Sequence, residues 1–335
     1  MLTPPDGVTE PDLLAVLRRH WGIDATELRY APVGWGSHHW VLTARDGSAL
    51  FVTVDELDAR RDVAGEPRAA VVDRLAAALG AARALADAGS SHVVAPMPGE
   101  DGSVLAPVTD AFTVAVYPLV EGESFPWGHP MSAEHRAALL DMVVDVHAAP
   151  ADVRDRAPAD DYAIQHRDAL EAALLDGREG GTAGSAGPYA ARVARLVADH
   201  ATALRAALAT YDDLVEQAMQ GSDGTLVLTH GEPHPGNTMR TADGWRLIDW
   251  DTARVAPAER DLWSMDPGDG SVHEAYVAAT GRELRPAVLQ LYRQRWDLTD
   301  VAVDAARFRR PHRGTDEDAK AFDILRGQVG AVAGA

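Results

Sequence analysis

At 335 residues the chain is long enough for a large core and two domains, and its 46% hydrophobic and 24% charged residues are ordinary for a globular protein in water. It has no cysteine, which excludes disulfides and thiolate metal sites, and a net charge of −20, which argues against nucleic acid, whose phosphates need a basic face, and favours a cationic small-molecule partner. The N-terminus lacks a basic region and an apolar run, and nothing approaches the roughly 20 apolar residues of a membrane span, so a cytoplasmic protein with no membrane partner is expected.

The acidity equally serves plain solubility. One further peculiarity of composition is that Lys320 is the only lysine, so all other fixed positive side-chain charge is arginine.

The first third reads as strands around one helix. Residues 28–33 form an apolar-rich strand that runs into Gly34-Trp35-Gly36-Ser37-His38-His39. Residues 40–44, an Asp46-Gly47 turn and residues 50–54 then read as a hairpin. Val71, Leu75, Leu79, Ala82 and Leu85 recur at helical spacing, which predicts a helix over about 66–88, ended by Gly89. Strands are expected at 93–97, 103–108 and 111–117 before Pro118-Leu119-Val120-Glu121-Gly122 breaks the pattern.

Helices dominate after that break. Ser132 can cap a helix carrying Leu139, Leu140, Val143 and Val144. Helices are also expected at 160–176, 188–220, 283–308 and 316–329, with a glycine-rich linker over 177–187. The domain boundary therefore falls near residue 118, with a β-rich part at 1–118 and a helical part at 119–335.

Within the helical part, the strand Leu226-Val227-Leu228 delivers His230-Gly231-Glu232-Pro233-His234-Pro235-Gly236-Asn237. The prolines and glycines make this a loop. A hairpin follows, turning at Thr241-Ala242-Asp243-Gly244 and returning through 245–248 to Asp249. Asn237 and Asp249 are equidistant in sequence from Asp243, so a hairpin centred there sets them opposite one another. Two oxygen donors on such a platform suit Mg²⁺, which takes few protein oxygens and completes its shell with substrate phosphates. Glu232 then stands beside whatever the metal holds, and a carboxylate there can take a proton from a hydroxyl. The chemistry implied is phosphoryl transfer.

The pattern His230-Gly231-Glu232-x-x-x-x-Asn237, followed by Leu247-Ile248-Asp249-Trp250-Asp251, resembles the aminoglycoside phosphotransferase family. Residues 34–40 are similar to its spectinomycin phosphotransferase branch. The resemblance implies an α+β, bilobal protein-kinase-like fold, with a β-rich N-lobe holding one main helix and a mostly helical C-lobe. It implies ATP or GTP and Mg²⁺ as cofactors, Glu232 as the base, His230 as the support of its loop, and Asn237 and Asp249 as metal ligands. Gly34, Gly36, Ser37 and Thr53 take nucleotide-contacting positions, and Tyr117 and Leu119 lie in the hinge that would pair with adenine. Asp261 matches an acid that ties the loop to the helical lobe; Asp251 reads either as a second metal contact or as a cap. Glu121, Trp127, Trp296, Asp297 and Asp300 are the candidate acceptor residues, a solvated acidic face being the plain alternative.

Two departures stand out. The family's catalytic acid is normally aspartate, and here it is Glu232. The strand that normally carries a phosphate-binding lysine reads Phe51-Val52-Thr53-Val54, with Thr53 in the lysine's place. An arginine such as Arg61, Arg68, Arg74 or Arg83 is the expected substitute. Three functions stay open: an antibiotic kinase, a metabolite kinase acting on an amino alcohol or sugar, and a ligand-binding pseudokinase.

Overall fold

In the computed structural model, which describes residues 1, 3–34, 36–179, 186–220 and 226–334, the chain begins with a helix that the composition hides. This is α1 (Glu10–Trp21). The elements expected from sequence begin only at residue 28; proline is tolerated in a first helical turn, where its missing N–H has no partner to lose. Thr9 and Asp12 close a capping box, and Gly22 ends the helix in the left-handed region at φ 66°.

The remaining elements of the first 160 residues are β1 (Ala25–Ala31), β2 (His38–Ala44), β3 (Ala49–Glu56), α2 (Arg68–Asp87), β4 (Ala106–Thr109), β5 (Phe112–Pro118), β6 (Glu123–Ser124), α3 (Ala133–His147) and α4 (Ala151–Arg154). Then follow α5 (Arg167–Glu179), α6 (Ala190–Asp199), α7 (Ala201–Gln220), β7 (Leu226–Thr229), β8 (Thr238–Thr241), β9 (Gly244–Leu247), β10 (Arg254–Pro257), α8 (Glu259–Leu262), α9 (Ser271–Thr280), α10 (Pro286–Arg309) and α11 (Asp316–Gly334). Trp35 and residues 180–185 of the expected linker lie outside the described residues.

The packing divides the chain into two units. The first comprises 1–60, 67–160 and 224–284. It holds a five-stranded antiparallel sheet in the order β1-β2-β3-β5-β4. Residues alternate across β3: Leu50, Val52 and Val54 are buried in one cluster with Leu13 and Leu17 of α1, while Phe51, Thr53 and Asp55 face the other way. That second face is the one that matters for the site. The same unit holds the pair β7–β10 and the small sheet β6-β8-β9. The second unit comprises 61–66, 161–223 and 285–335 and is helical, with α10 packed on α5, α7 and α11.

Three expected elements differ. Residues 93–97 form no strand beyond an isolated bridge at Val93, because Pro96 and Pro98 withhold two of the donors a ladder needs. The helix expected from 160 starts only at Arg167, since Tyr162 and His166 adopt left-handed φ of 59° and 57°. The long helix expected over 188–220 breaks at His200, whose ring bonds to the Leu196 carbonyl at 2.9 Å and satisfies an end of α6.

Candidate active site

The loop after β7 is fixed from beneath. The backbone N–H groups of His230 and Gly231 donate to the two oxygens of Asp261, at 2.8 and 2.6 Å. Asp261 is fully buried and also meets His147 Nε2 at 3.0 Å, while His147 Nδ1 meets the Tyr276 hydroxyl at 2.8 Å. Burial alone would raise the Asp261 carboxyl; His147 and Arg260 hold it below the usual range, so it stays ionised. The acid thus ties the loop to α3 and α9.

His230 is a support. Its Nε2 pairs with the Ile248 carbonyl at 2.9 Å, and its Nδ1 accepts from the Glu232 N–H at 3.2 Å. These two bonds select the neutral tautomer with its proton on Nε2. Burial first of all lowers its pKa, in keeping with that state.

Gly231 sits at φ 101°, and a Cβ there would come within 2.6 Å of the Arg260 guanidinium carbon. Arg260 cannot retreat freely, because it bonds to Thr229 Oγ1 and the Thr252 carbonyl, each at 2.8 Å. Gly231→Ala is therefore expected to lower stability by about 1–3 kcal/mol through backbone strain alone. A denaturation midpoint equal to that of the parent would show that the loop relaxes around the methyl group.

Glu232 leaves this frame pointing outward, with its side chain 35% exposed and its Oε2 3.8 Å from His234 Nε2. Burial pushes its carboxyl up, but His234, then His230 and Arg260, hold it below the usual range. It is an ionised carboxylate that a substrate can reach. Asn237 closes the loop, its Nδ2 donating to the Glu232 carbonyl at 3.0 Å. The side-chain Oδ1 of Asn237 is thereby left as the amide's acceptor.

The hairpin register corrects one expectation. Thr238 pairs with Leu247 and Thr241 with Gly244, so the turn is the two residues Ala242-Asp243. Asn237 consequently stands opposite Ile248, whose N–H donates to its carbonyl at 2.9 Å, and Asp249 lies one residue further on. Asp249 has a left-handed φ of 67°, which an aspartate tolerates better than most residues and which redirects the chain at this point. Desolvation, then the charges of Asp251 and Glu232, push its carboxyl well above the usual range, while Arg60 pulls it back. Asp249 is solvent-accessible, so the rise rests on the neighbouring carboxylates more than on burial.

Among the described residues no group of three or more His, Cys, Asp and Glu forms a cage that could hold a metal by itself. Mg²⁺ does not need such a cage, since it takes few protein oxygens and completes its shell with phosphates and water.

On the sheet, Ser37 is buried, its hydroxyl donating to Asp55 Oδ1 at 2.8 Å. Gly34 and Gly36 are exposed, with φ of 69° and 95°. Thr53 is half-buried, its Oγ1 3.3 Å from His39 Nδ1. Burial lowers the His39 pKa to about 4, so that ring brings no charge at neutral pH. Tyr117 ends the same face, and burial, then Asp249 and Asp55, push its phenol up. Leu119 donates its N–H to the Ala49 carbonyl at 3.1 Å, so that donor is already used within the sheet.

The cation that lies against this face of the sheet is Arg60, a residue the motif spacing passes over. Its guanidinium contacts Asp55, Ser37 and Asp251 together. The arginines expected in this role have other partners. Arg68 grips both oxygens of Asp58, Arg83 pairs with Asp87 on its own helix, Arg74 donates to the Arg60 carbonyl, and Arg61 belongs to the second unit. Asp251, left open between metal contact and cap, pairs with Arg60 at 2.6 Å.

Of the acceptor candidates, Trp127 is 62% exposed and its ring lies 6.3 Å from that of His234, against the loop. Glu121 is exposed in the same unit. Trp296, Asp297 and Asp300 lie on α10 of the second unit, where Asp300 accepts from Gln328 at 2.9 Å.

Residues 27–302 match the Phosphotransferase enzyme family, APH. The chain belongs to this family. As an APH phosphotransferase it is an enzyme of the small-molecule kinase type. It is 32% identical over 245 residues, 72% of each chain, to Protein StrN of Streptomyces griseus. Its fold is similar to that of spectinomycin phosphotransferase in complex with ADP and spectinomycin: TM-score 0.71, 16% identity, covering 98% of this chain and 99% of that one. It is also similar to amicoumacin kinase hAmiN in complex with AMP-PNP, Ca²⁺ and Ami: TM-score 0.57, 14% identity, covering 96% and 93%. At these identities the structural likeness is one of fold. The fold is the expected one, with an antiparallel sheet in the N-terminal part and a mostly helical C-terminal part.

Proposed function

We propose that this APH phosphotransferase moves the γ-phosphoryl group of ATP or GTP to a hydroxyl of a cationic, aminoglycoside-like antibiotic, conferring resistance to it. The observation that carries the reading is the reachable, ionised Glu232 carboxylate on a loop held rigid by His230 and Asp261. The acceptor oxygen attacks the γ-phosphorus, the bond from that phosphorus to the β–γ bridging oxygen breaks, and Glu232 takes the hydroxyl proton. The nucleoside diphosphate leaves with the bridging oxygen. Asn237 and Asp249 are the residues that would hold Mg²⁺, which would offset the charge of the phosphates.

Nucleotide use is supported by family membership and by the ADP and AMP-PNP of the two fold relatives. Residues 1–118 serve as the nucleotide lobe in this reading and 119–335 as the acceptor lobe. The cationic acceptor is supported by the net charge of −20 and by exposed Trp127 beside the loop, with Glu121 of the same unit as a further contact. Thr53 at the lysine position favours a second reading, a ligand-binding pseudokinase.

Purified protein with Mg-ATP or Mg-GTP should be screened against aminoglycosides, spectinomycin, tuberactinomycin peptides, nucleoside antibiotics, amino alcohols and sugars. Phosphorylated antibiotic, detected by mass, is the expected result. Turnover confined to amino alcohols or sugars would overturn the antibiotic assignment. Binding with no turnover on any acceptor would favour the pseudokinase.

A further inference from the structure

Arg60 reaches the site through a local device. After β3 the chain coils back, with the Arg60 N–H bonding to the carbonyls of Glu56 at 3.3 Å and Leu57 at 3.2 Å. This turn returns residue 60 over residue 55. Arg74 of α2 then donates to the Arg60 carbonyl at 2.8 Å and holds the backbone there.

The side chain is equally constrained. Its Nη2 and Nε share Asp55 Oδ1 at 2.7 and 3.1 Å, Nη2 donates to Ser37 Oγ at 2.6 Å, and Nη1 meets Asp251 Oδ2 at 2.6 Å. A Cβ on Gly36 would lie 4.0 Å from Nη2, so the guanidinium lies next to the glycine-containing turn. Asp55 is nearly inaccessible, with 3% of its side chain exposed. A carboxylate so buried needs a permanent cationic partner.

In the common kinase arrangement the third strand carries a lysine and the next helix carries the glutamate that holds it. Here the polarity is reversed: the strand carries the acid and the segment after it carries the base. Resting on the phosphotransferase reading above, we propose that Arg60, held by Asp55, is the residue that receives the nucleotide's phosphates in place of the missing lysine. Asp55 engages one edge of the guanidinium and leaves Nη1 as the exchangeable donor. Nη1 passes from Asp251 to a phosphate oxygen when nucleotide arrives, which frees the Asp251 carboxylate beside Asp249. An arginine suits this better than a lysine, because its planar fork can keep one carboxylate while gripping phosphate with the other edge.

The test is calorimetric binding of Mg-ATP, Mg-GTP and the parent nucleosides to the full chain. Arg60→Ala should weaken triphosphate binding by roughly tenfold or more, while nucleoside affinity moves by less than about twofold. Adding Thr53→Lys to Arg60→Ala should recover most of the loss. Because Arg60→Ala strands a buried acid, the double variant Arg60→Gln, Asp55→Asn, which keeps a neutral hydrogen-bonding pair, is measured alongside. It should show the same selective loss while remaining folded by circular dichroism. Folded variants that bind triphosphate as the parent does would overturn the assignment of Arg60 and leave the phosphotransferase reading standing. A parent protein that binds neither triphosphate would overturn both.

Discussion

Glu232→Gln is expected to lower turnover by about a hundredfold or more while leaving triphosphate affinity within about twofold. The amide keeps the shape and the Glu232 backbone bonds to His230 and Asn237, but it cannot accept a proton. Because His234 and its neighbours hold the parent carboxyl below the usual range, the acid limb of the parent's pH–rate profile should lie below the ordinary glutamate value. At saturating Mg-nucleotide, rate should be lost only as pH falls through that lowered pKa, and the profile should stay flat toward neutrality. Single-turnover measurements isolate the chemical step. If the glutamine variant keeps its rate there, Glu232 is not the base, and His234, at 3.8 Å, becomes the next candidate.

The second large effect concerns Asp249. Asp249→Asn should bring nucleotide affinity measured with Mg²⁺ down toward its Mg-free value. In the parent, Asp251 and Glu232 add to desolvation in raising the Asp249 carboxyl, so its ionised form is disfavoured until a cation arrives. A divalent ion held there would favour the ionised form, so its binding would release the proton. Parent affinity for Mg-nucleotide should therefore rise with pH up to the raised pKa and level off above it. Calorimetry in buffers of different ionisation enthalpy should register proton release with the parent and much less with the asparagine variant. Equal Mg-dependent affinity and equal proton release in both proteins would remove the hairpin from the metal site.

The contrast between what was legible in the sequence and what was not has a physical basis. The stretch from Leu226 to Asp249 is local: a strand, a proline-stiffened loop and a hairpin whose parts are separated by a few residues. Local turn chemistry therefore announces them. The register still slipped by one, because Gly244 begins the returning strand and is not part of the turn. The pairing of β10 with β7 brings Arg254 beside Thr229 across an intervening hairpin, and nothing periodic in residues 254–257 signals it. Arg60 was missed for a related reason. Motif spacing assigns the phosphate cation to a strand position, and Thr53 fills that position. The return of the chain after β3, which alone brings residue 60 to Asp55, depends on backbone bonds that leave no mark on residue type. Helix α1 lies before the first expected element, although Thr9 and Asp12 already spell its cap.

The use of a guanidinium at this position also alters how the protein would respond to covalent profiling. Reactive nucleotide analogues that carry an acyl group near their phosphates capture kinases by acylating the amine they find there. The group beside Ser37 and Asp55 is instead a guanidinium; burial lowers its pKa, but Asp251 and Asp55 outweigh that and push it further up, leaving no nucleophilic nitrogen near neutral pH. The sequence's single side-chain amine, Lys320, sits on α11 in the second unit. Such a reagent could occupy the nucleotide site without acylating the residue that meets its phosphates. A survey that reads lysine labelling at this position would then record nothing there even with nucleotide bound.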